Sequence, residues 1–347
     1  MSICDSPLRL RLDTSALVDN WQWLNARSGA AACGAAIKAN GYGLGAAEVM
    51  RRLSAAGCRD FFVATWAEAN AVASRAEDVA LSVLHGVRAE DMAAARAGRA
   101  RPVLNTPEQV RRWKEAGGGP CDVMVDTGMN RLGVAPADIA AGLLDGLMIE
   151  TLMSHLACAD EDVTMNAAQQ VDFAALKGRT RARRMSLANS AGICLGADYA
   201  FDLTRPGIAL YGGVPRDEAA GRLRQVATPE AQILQRRRVG AGDRVGYNAA
   251  FAAERDMELA ILNIGYADGY LRGFSGKGHA MAGAARLPVL GRVSMDLLIV
   301  CVDAAPDLGE GDWVSIGYAL PEAAEVSGLS QYELLTGLGQ RLQRIWN

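Results

Sequence analysis

Lysine is scarce in this 347-residue chain. Only four of its 36 basic residues are lysines, at Lys38, Lys114, Lys177 and Lys277. Arginine stays protonated and cannot serve as a nucleophilic amine, so any amine chemistry belongs to one of those four positions. Seven cysteines are spread from Cys4 to Cys301 without a CxxC pair. That pattern argues against a disulfide framework and for reduced thiols in a cytoplasmic protein, with no metal site expected. Long apolar runs are missing too: Leu297 to Val302 is far too short to cross a bilayer. The start of the sequence carries charges where an export signal needs an apolar core, which again predicts a cytoplasmic location. An excess of positive charge is also absent, with 36 basic against 39 acidic residues and a net charge of −3. Neither nucleic acid nor an anionic membrane is therefore expected as a partner.

What is present is a repeating pattern. Short apolar runs begin at Ala31, Phe61, Ala80, Pro102, Asp122, Ile149, Met185 and Asp202, and Ala-rich amphipathic stretches separate most of them. Thr65 followed by Glu68 reads as a capping box. Thr106, Pro107 and Gln109 read as a helix cap, a first-turn proline and its N3 partner, and Gly117–Gly119 ends that helix. Eight strand–helix units predict an α/β architecture, a (β/α)8 TIM barrel over residues 1–222, with a doubly wound sheet as the structural rival. From residue 223 to 347 turn signals crowd together between extended runs such as Glu258–Ile264, Leu287–Val293 and Leu297–Val302. This predicts a β-rich second domain. Leu8-Arg-Leu-Arg-Leu12 alternates with period two ahead of a helix over Thr14 to Arg27, so residues 1–12 are expected to pair with the second domain.

Barrel chemistry gathers where strands end and βα loops begin. Those positions hold Lys38 after the first strand, Asp126 and Arg131 after the fifth, and His155 after the sixth. Asn189 and Ser190 follow the seventh; Arg205, Gly207 and Tyr211 follow the eighth. An amine at the apolar mouth of a barrel is partly desolvated, which lowers its pKa and frees it to form a Schiff base. A snorkelling lysine on the rim is the plainer alternative. Lys114 lies in a polar helix, Lys277 in a glycine-rich loop, and Lys177 heads a basic stretch to Arg184 that reads as a solvated helix end. Lys38 is the one placed for chemistry. Asn189-Ser-Ala-Gly192 and Arg205-Pro-Gly-Ile208 offer small residues, a hydroxyl and helix starts at the two loops where barrels often hold phosphate. A Schiff-base lysine beside a phosphate cradle suggests pyridoxal 5′-phosphate.

Several motifs carry a resemblance. They are Lys38-Ala-Asn-Gly-Tyr-Gly-Leu-Gly45, Asp126-Thr-Gly-Met-Asn-Arg-Leu-Gly133, Ser154-His-Leu-Ala157, Asn189-Ser190 and Arg205-Pro-Gly-Ile-Ala-Leu-Tyr-Gly212 in the first part. Val245-Gly-Tyr-Asn248, Ile264-Gly-Tyr-Ala-Asp-Gly269, Gly291-Arg-Val-Ser-Met-Asp296 and Tyr332-Glu-Leu-Leu-Thr336 follow in the second. In this order, over nearly the whole chain, the sequence resembles the alanine racemase family, pyridoxal-phosphate enzymes with a barrel and a C-terminal β domain.

The resemblance implies a set of roles. Lys38 would carry the cofactor and act as base on one face of the substrate Cα. Tyr247, supplied by the partner subunit of a homodimer with shared active sites, would act on the other. Two faces need two acid/base groups, because the proton leaves one side and returns to the other. Tyr42, Asn189, Ser190, Gly207, Ile208 and Tyr332 would bind the cofactor, with His155 packed on its ring and Arg205 at the pyridine nitrogen. Arg131 and the backbone of Met295 from the partner subunit would hold the substrate carboxylate, and Tyr266, Arg272 and Asp296 would line the entrance between subunits. The implied reaction interconverts L- and D-alanine and supplies D-alanine for peptidoglycan. The alternatives are a serine or broad-specificity racemase, a barrel-type decarboxylase, or a barrel-only cofactor-binding homeostasis protein. One departure concerns Arg131. Many relatives have a lysine, which becomes carbamylated, seven residues earlier, and here that residue is Met124. Methionine cannot carbamylate, so another group must steady the arginine.

Overall fold

The computed structural model describes residues 6–75 and 78–347. The chain forms two compact units, one over Ser15–Arg224 and one made of Gln225–Asn347 together with the N-terminal stretch through Thr14.

In the first unit the strand segments are Ala32–Cys33 with Ala35–Ala36, then Asp60–Val63, Ala80–Val83, Arg101–Leu104, Cys121–Met124, Ile149–Met153, Arg184–Ser186 and Leu203–Thr204. The first strand is interrupted at Gly34, where a Cβ would lie 2.7 Å from the Asp60 carbonyl oxygen. Neighbours pair in parallel along the chain, from Ala35 opposite Phe61 to Met153 opposite Ser186. The last strand then pairs with the first, Leu203 opposite Ala32 and Thr204 opposite Cys33. The seventh and eighth join through Asp202 N–H to Met185 C=O at 3.0 Å and Arg205 N–H to Ala188 C=O at 2.8 Å. The ring therefore closes, which distinguishes a barrel from an open doubly wound sheet.

Two layers fill the interior. Phe62, Val103, Met124, Met153 and Leu203 form an apolar cluster. Towards the strand starts the filling is polar. Arg184 grips the buried Asp60 through two bonds of 3.1 and 2.6 Å, and Ser82 donates to the fully buried Asp122 at 2.6 Å. The basic stretch from Lys177 is thus not solvated to its end. Arg184 opens the seventh strand and pairs with Asp60, because a buried carboxylate needs a partner.

The helix starts follow local chemistry. Thr65 and Glu68 close a reciprocal capping box, and Thr106 accepts the Gln109 N–H ahead of Pro107. The first helix runs Thr14–Arg27.

The second unit is built on the long strand Ala227–Val239. It pairs antiparallel with Leu8–Leu12, Met257–Leu262 and Trp313–Ile316. Leu8, Leu10 and Leu12 are buried while Arg9 and Arg11 turn towards Glu230, so the period-two alternation places the leucines in the core. Gln343–Trp346 lies parallel to the same N-terminal strand. The run Leu287–Val293 is not one extended segment. Its strand is Ala285–Pro288, and the left-handed Gly291 (φ +66°) turns the chain soon after.

Candidate active site

Directly after the first barrel strand the chain coils the wrong way. Ala39, Asn40, Gly41 and Tyr42 have φ of 52°, 54°, 64° and 54°. Left-handed conformation costs a non-glycine residue about 1–2 kcal/mol, so other contacts must hold this turn. Glu68 supplies them. One carboxylate oxygen accepts the Ala39 N–H and the other the Ala64 N–H, both at 2.7 Å. Asn40 Oδ1 accepts the Ala46 N–H at 3.0 Å, at the start of the helix Ala46–Ala56. At Gly41 a Cβ would fall 3.0 Å from that same nitrogen. Lys38 opens this coil. Its amine is held below its ordinary pKa first by burial and then by the nearby Arg131, against the pull of Glu68, with Arg205 adding to the lowering.

The last two barrel loops meet at a hydroxyl. Ser190 Oγ accepts the Gly207 N–H at 2.8 Å and the Ala209 N–H at 3.3 Å. Asn189 caps the following helical turn by accepting the Gly192 N–H at 2.8 Å. Tyr42 stacks on Tyr211 with ring centroids 4.7 Å apart, and the Tyr42 hydroxyl abuts Gly207. Tyr211 donates to the Ala36 carbonyl at 2.8 Å, tying the last loop to the first strand, and Ile208 is buried in the same turn. Hydroxyls and backbone N–H groups converge here, which suits a phosphate.

Arg205 is buried beside them. It donates to Ser186 Oγ and, at 2.6 Å, to the Ser154 carbonyl. Among the described residues no carboxylate bonds to it, and burial pushes its pKa down to about 10 against the field of Asp122. His155 is pushed to about 3, by burial first and then by Arg205, Arg131 and Lys38, so its imidazole is neutral. Its carbonyl is fixed by Gln169 Nε2 at 3.0 Å. Lys38, Arg131, His155 and Arg205 thus share one electropositive neighbourhood, suited to an anionic ligand.

Arg131 is exposed, on a loop held by its backbone. Asp126 Oδ1 accepts the Gly128 and Asn130 N–H groups at 2.9 and 3.1 Å, and Val134 N–H bonds to Met124 C=O at 2.9 Å. The Met124 side chain packs into the apolar barrel cluster, so the loop is anchored on its backbone carbonyl.

In the second unit Tyr247, Met295 and Tyr332 are exposed, at 66%, 53% and 49%. Tyr247 begins a tight turn in which Asn248 and Ala249 have φ of 61° and 50°. Tyr332 sits on the helix Gln331–Thr336, started by a Ser330–Glu333 capping box. The Arg272 guanidinium lies 5.2 Å from the Tyr266 ring centre, a cation–π arrangement, and Asp296 pairs with Arg341 at 2.7 Å. Reasoning from sequence missed the parts played by Ser186 and Arg341, which no local motif marks, and read Glu68 only as a cap.

Residues 12–215 match the family model described as alanine racemase, N-terminal domain, and residues 226–346 match that of the alanine racemase C-terminal domain. The chain belongs to the alanine racemase family. The biosynthetic alanine racemase of Agrobacterium fabrum is 41% identical over 98% of this chain and 93% of its own length. The catabolic alanine racemase of the same organism is 40% identical over 96% and 91%. Among solved structures, the alanine racemase from Bartonella henselae with covalently bound pyridoxal phosphate superposes with a TM-score of 0.89. It is 34% identical and covers 99% of this chain and 100% of that one. Because the alanine racemase match runs through both units, a barrel-only homeostasis protein does not account for the chain.

Proposed function

We propose that this protein is a pyridoxal-phosphate-dependent alanine racemase, acting as a cytoplasmic homodimer that supplies D-alanine for peptidoglycan. The observation that carries the reading is the Lys38 amine, held below its ordinary pKa in an electropositive site beside the Ser190–Gly207 cradle.

The residues fit the cofactor. Ser190, Tyr42, Tyr332 and the backbone at Gly207 and Ile208 would hold its phosphate, on the loop that Asn189 starts. Neutral His155 would pack on its ring, Arg205 would face the pyridine nitrogen, and Lys38 would anchor it covalently. When bound, the cofactor withdraws electrons from the substrate Cα and acidifies its C–H bond. Lys38 moves the proton on one face of Cα and Tyr247 of the second copy moves it on the other. Arg205 presents a fixed cation where an acid would donate a proton, which favours returning the substrate proton to Cα. Arg131 and the Met295 N–H of the second copy grip the carboxylate, and Tyr266, Arg272 and Asp296 form the approach between the two copies. Tyr247 and Met295, so exposed in one chain, are what a second copy would cover.

The test is to incubate the holoprotein separately with L-alanine and L-serine and follow enantiomer ratios by chiral chromatography. Alanine reaching a racemic mixture faster than serine is expected. Serine faster would move the specificity, since a small pocket rejects one hydroxyl poorly. No inversion of either would end the alanine and serine readings and leave a racemase of another amino acid, a decarboxylase or a cofactor carrier. Tyr247→Phe should impair exchange from one enantiomer more than from the other; equal small losses would refute the two-base role.

A further inference from the structure

Met295 lies in a turn without regular secondary structure, closed by Ser294 N–H to Leu297 C=O at 3.1 Å. Its carbonyl is occupied by the Ala267 N–H at 3.0 Å, as is that of Ser294 by the Tyr266 N–H at the same distance. Among the described residues the Met295 N–H has no hydrogen-bond partner, and with Met295 half-exposed it is open to solvent or to a ligand. Packing is tight on that side: a Cβ on Gly265 would lie 2.5 Å from the Met295 carbonyl carbon. The 265–268 segment is thus the wall against which the turn rests.

That wall is fixed by Asp268, 1% exposed, whose Oδ2 accepts the Gly265 N–H at 3.0 Å. The same carboxylate is gripped by Arg341, Nε to Oδ1 at 2.7 Å and Nη2 to Oδ2 at 2.9 Å. The remaining arm, Nη1, reaches Asp296 Oδ1 at 2.7 Å, next to Met295. An exposed ion pair by itself contributes little. A planar fork seated on a buried carboxylate is different, because two parallel bonds set its orientation and hence the direction of the third.

We propose that Arg341 is the positioning residue for the Met295–Asp296 turn: one guanidinium ties Asp296 to the buried Asp268 and so sets where the Met295 N–H meets the substrate carboxylate. This rests on the carboxylate-binding role proposed for Met295 above. The carboxylate is held in ground and transition states alike, so a displaced turn raises KM more than it lowers kcat.

The experiment compares wild-type holoenzyme with Arg341→Lys, which keeps a charge for Asp268 but loses the fork, and with Asp296→Asn, which weakens only the third arm. Arg341→Lys should raise KM for L-alanine roughly tenfold with kcat within about twofold. Asp296→Asn should raise KM less. In both, amide hydrogen exchange of the 291–299 segment should quicken. Unchanged KM with unchanged exchange in an active wild-type background would overturn the clamp and leave the racemase reading intact. A wild type that does not invert alanine would end the alanine racemase reading, while the exchange comparison would still decide the clamp. Should Arg341→Lys fail to fold, Asp296→Asn decides by the same two readouts.

Discussion

The Tyr42 hydroxyl occupies the place where a side chain on residue 207 would begin. A Cβ there would collide with the hydroxyl and lie 2.9 Å from Tyr42 Cζ. Gly207 does not lie in the left-handed region, its φ being −128°, and the close approach of Tyr42 is what calls for glycine there. Tyr42 cannot simply retreat, because it is stacked on the buried Tyr211. Gly207→Ala should therefore weaken pyridoxal-phosphate binding by about tenfold or more and destabilise the fold by about 1–3 kcal/mol. Titration of the cofactor-free protein and its thermal melt measure both. A variant that binds and melts like the wild type would show that the cradle yields.

The Lys38 amine owes part of its lowered pKa to Arg131. Arg131→Leu should raise it, without restoring the full ordinary value, because burial remains the larger cause. The pH dependence of cofactor capture by Lys38, trapped with borohydride and located by peptide mapping, should shift upward. A profile that stays in place or moves down would remove Arg131 from the account. Lys38→Ala should leave no trapped cofactor at that peptide.

Arg205 reaches Ser186 with one arm and backbone carbonyls with the other. Ser186 in turn donates to the Leu203 carbonyl, so the arginine is aimed by a hydroxyl that is itself tied down. Ser186→Ala should lower racemisation by roughly tenfold and raise the amount of pyruvate formed from alanine per inversion, as a less fixed cation permits competing protonation. Arg205→Glu should raise that ratio further. If neither substitution changes it, the cation does not control the fate of the proton.

His155 titrates at about 3 in the folded protein against an ordinary 6.5. Between those values the unfolded chain takes up a proton that the folded chain refuses, so stability falls as pH drops below about 6.5. It is fully present above that value. On the cofactor-free protein, His155→Gln should flatten the decline in melting temperature from about pH 6.5 to about pH 4.5. A variant whose decline is as steep as the wild type's would assign the acid sensitivity to other groups.

Much of the barrel could be read in advance because its signals are local. Thr65 and Glu68 lie within one helical turn, and the Thr14–Arg27 helix and the leucine alternation of Leu8–Leu12 depend on periodicity alone. The coil after Lys38 could not. Ala39 and Tyr42 are ordinary residues in a left-handed turn, and it is Glu68, 29 positions from Ala39, that helps to hold them there. Arg184 likewise reads as solvated until Asp60 is placed beside it.

From its own pattern the sequence determined the alternation of strands and helices, the β-rich second part and the choice of Lys38 among four lysines. It also carried the motifs of the alanine racemase family. The tertiary structure alone decided that the barrel closes, that Arg205 is buried with no carboxylate bonded to it among the described residues, that His155 is kept neutral, and that one guanidinium joins Asp268 to Asp296. Propensity and periodicity act over a few residues and are written locally. Burial, electrostatic fields and shared hydrogen bonds depend on distances between residues far apart in the chain, and those distances exist only after folding.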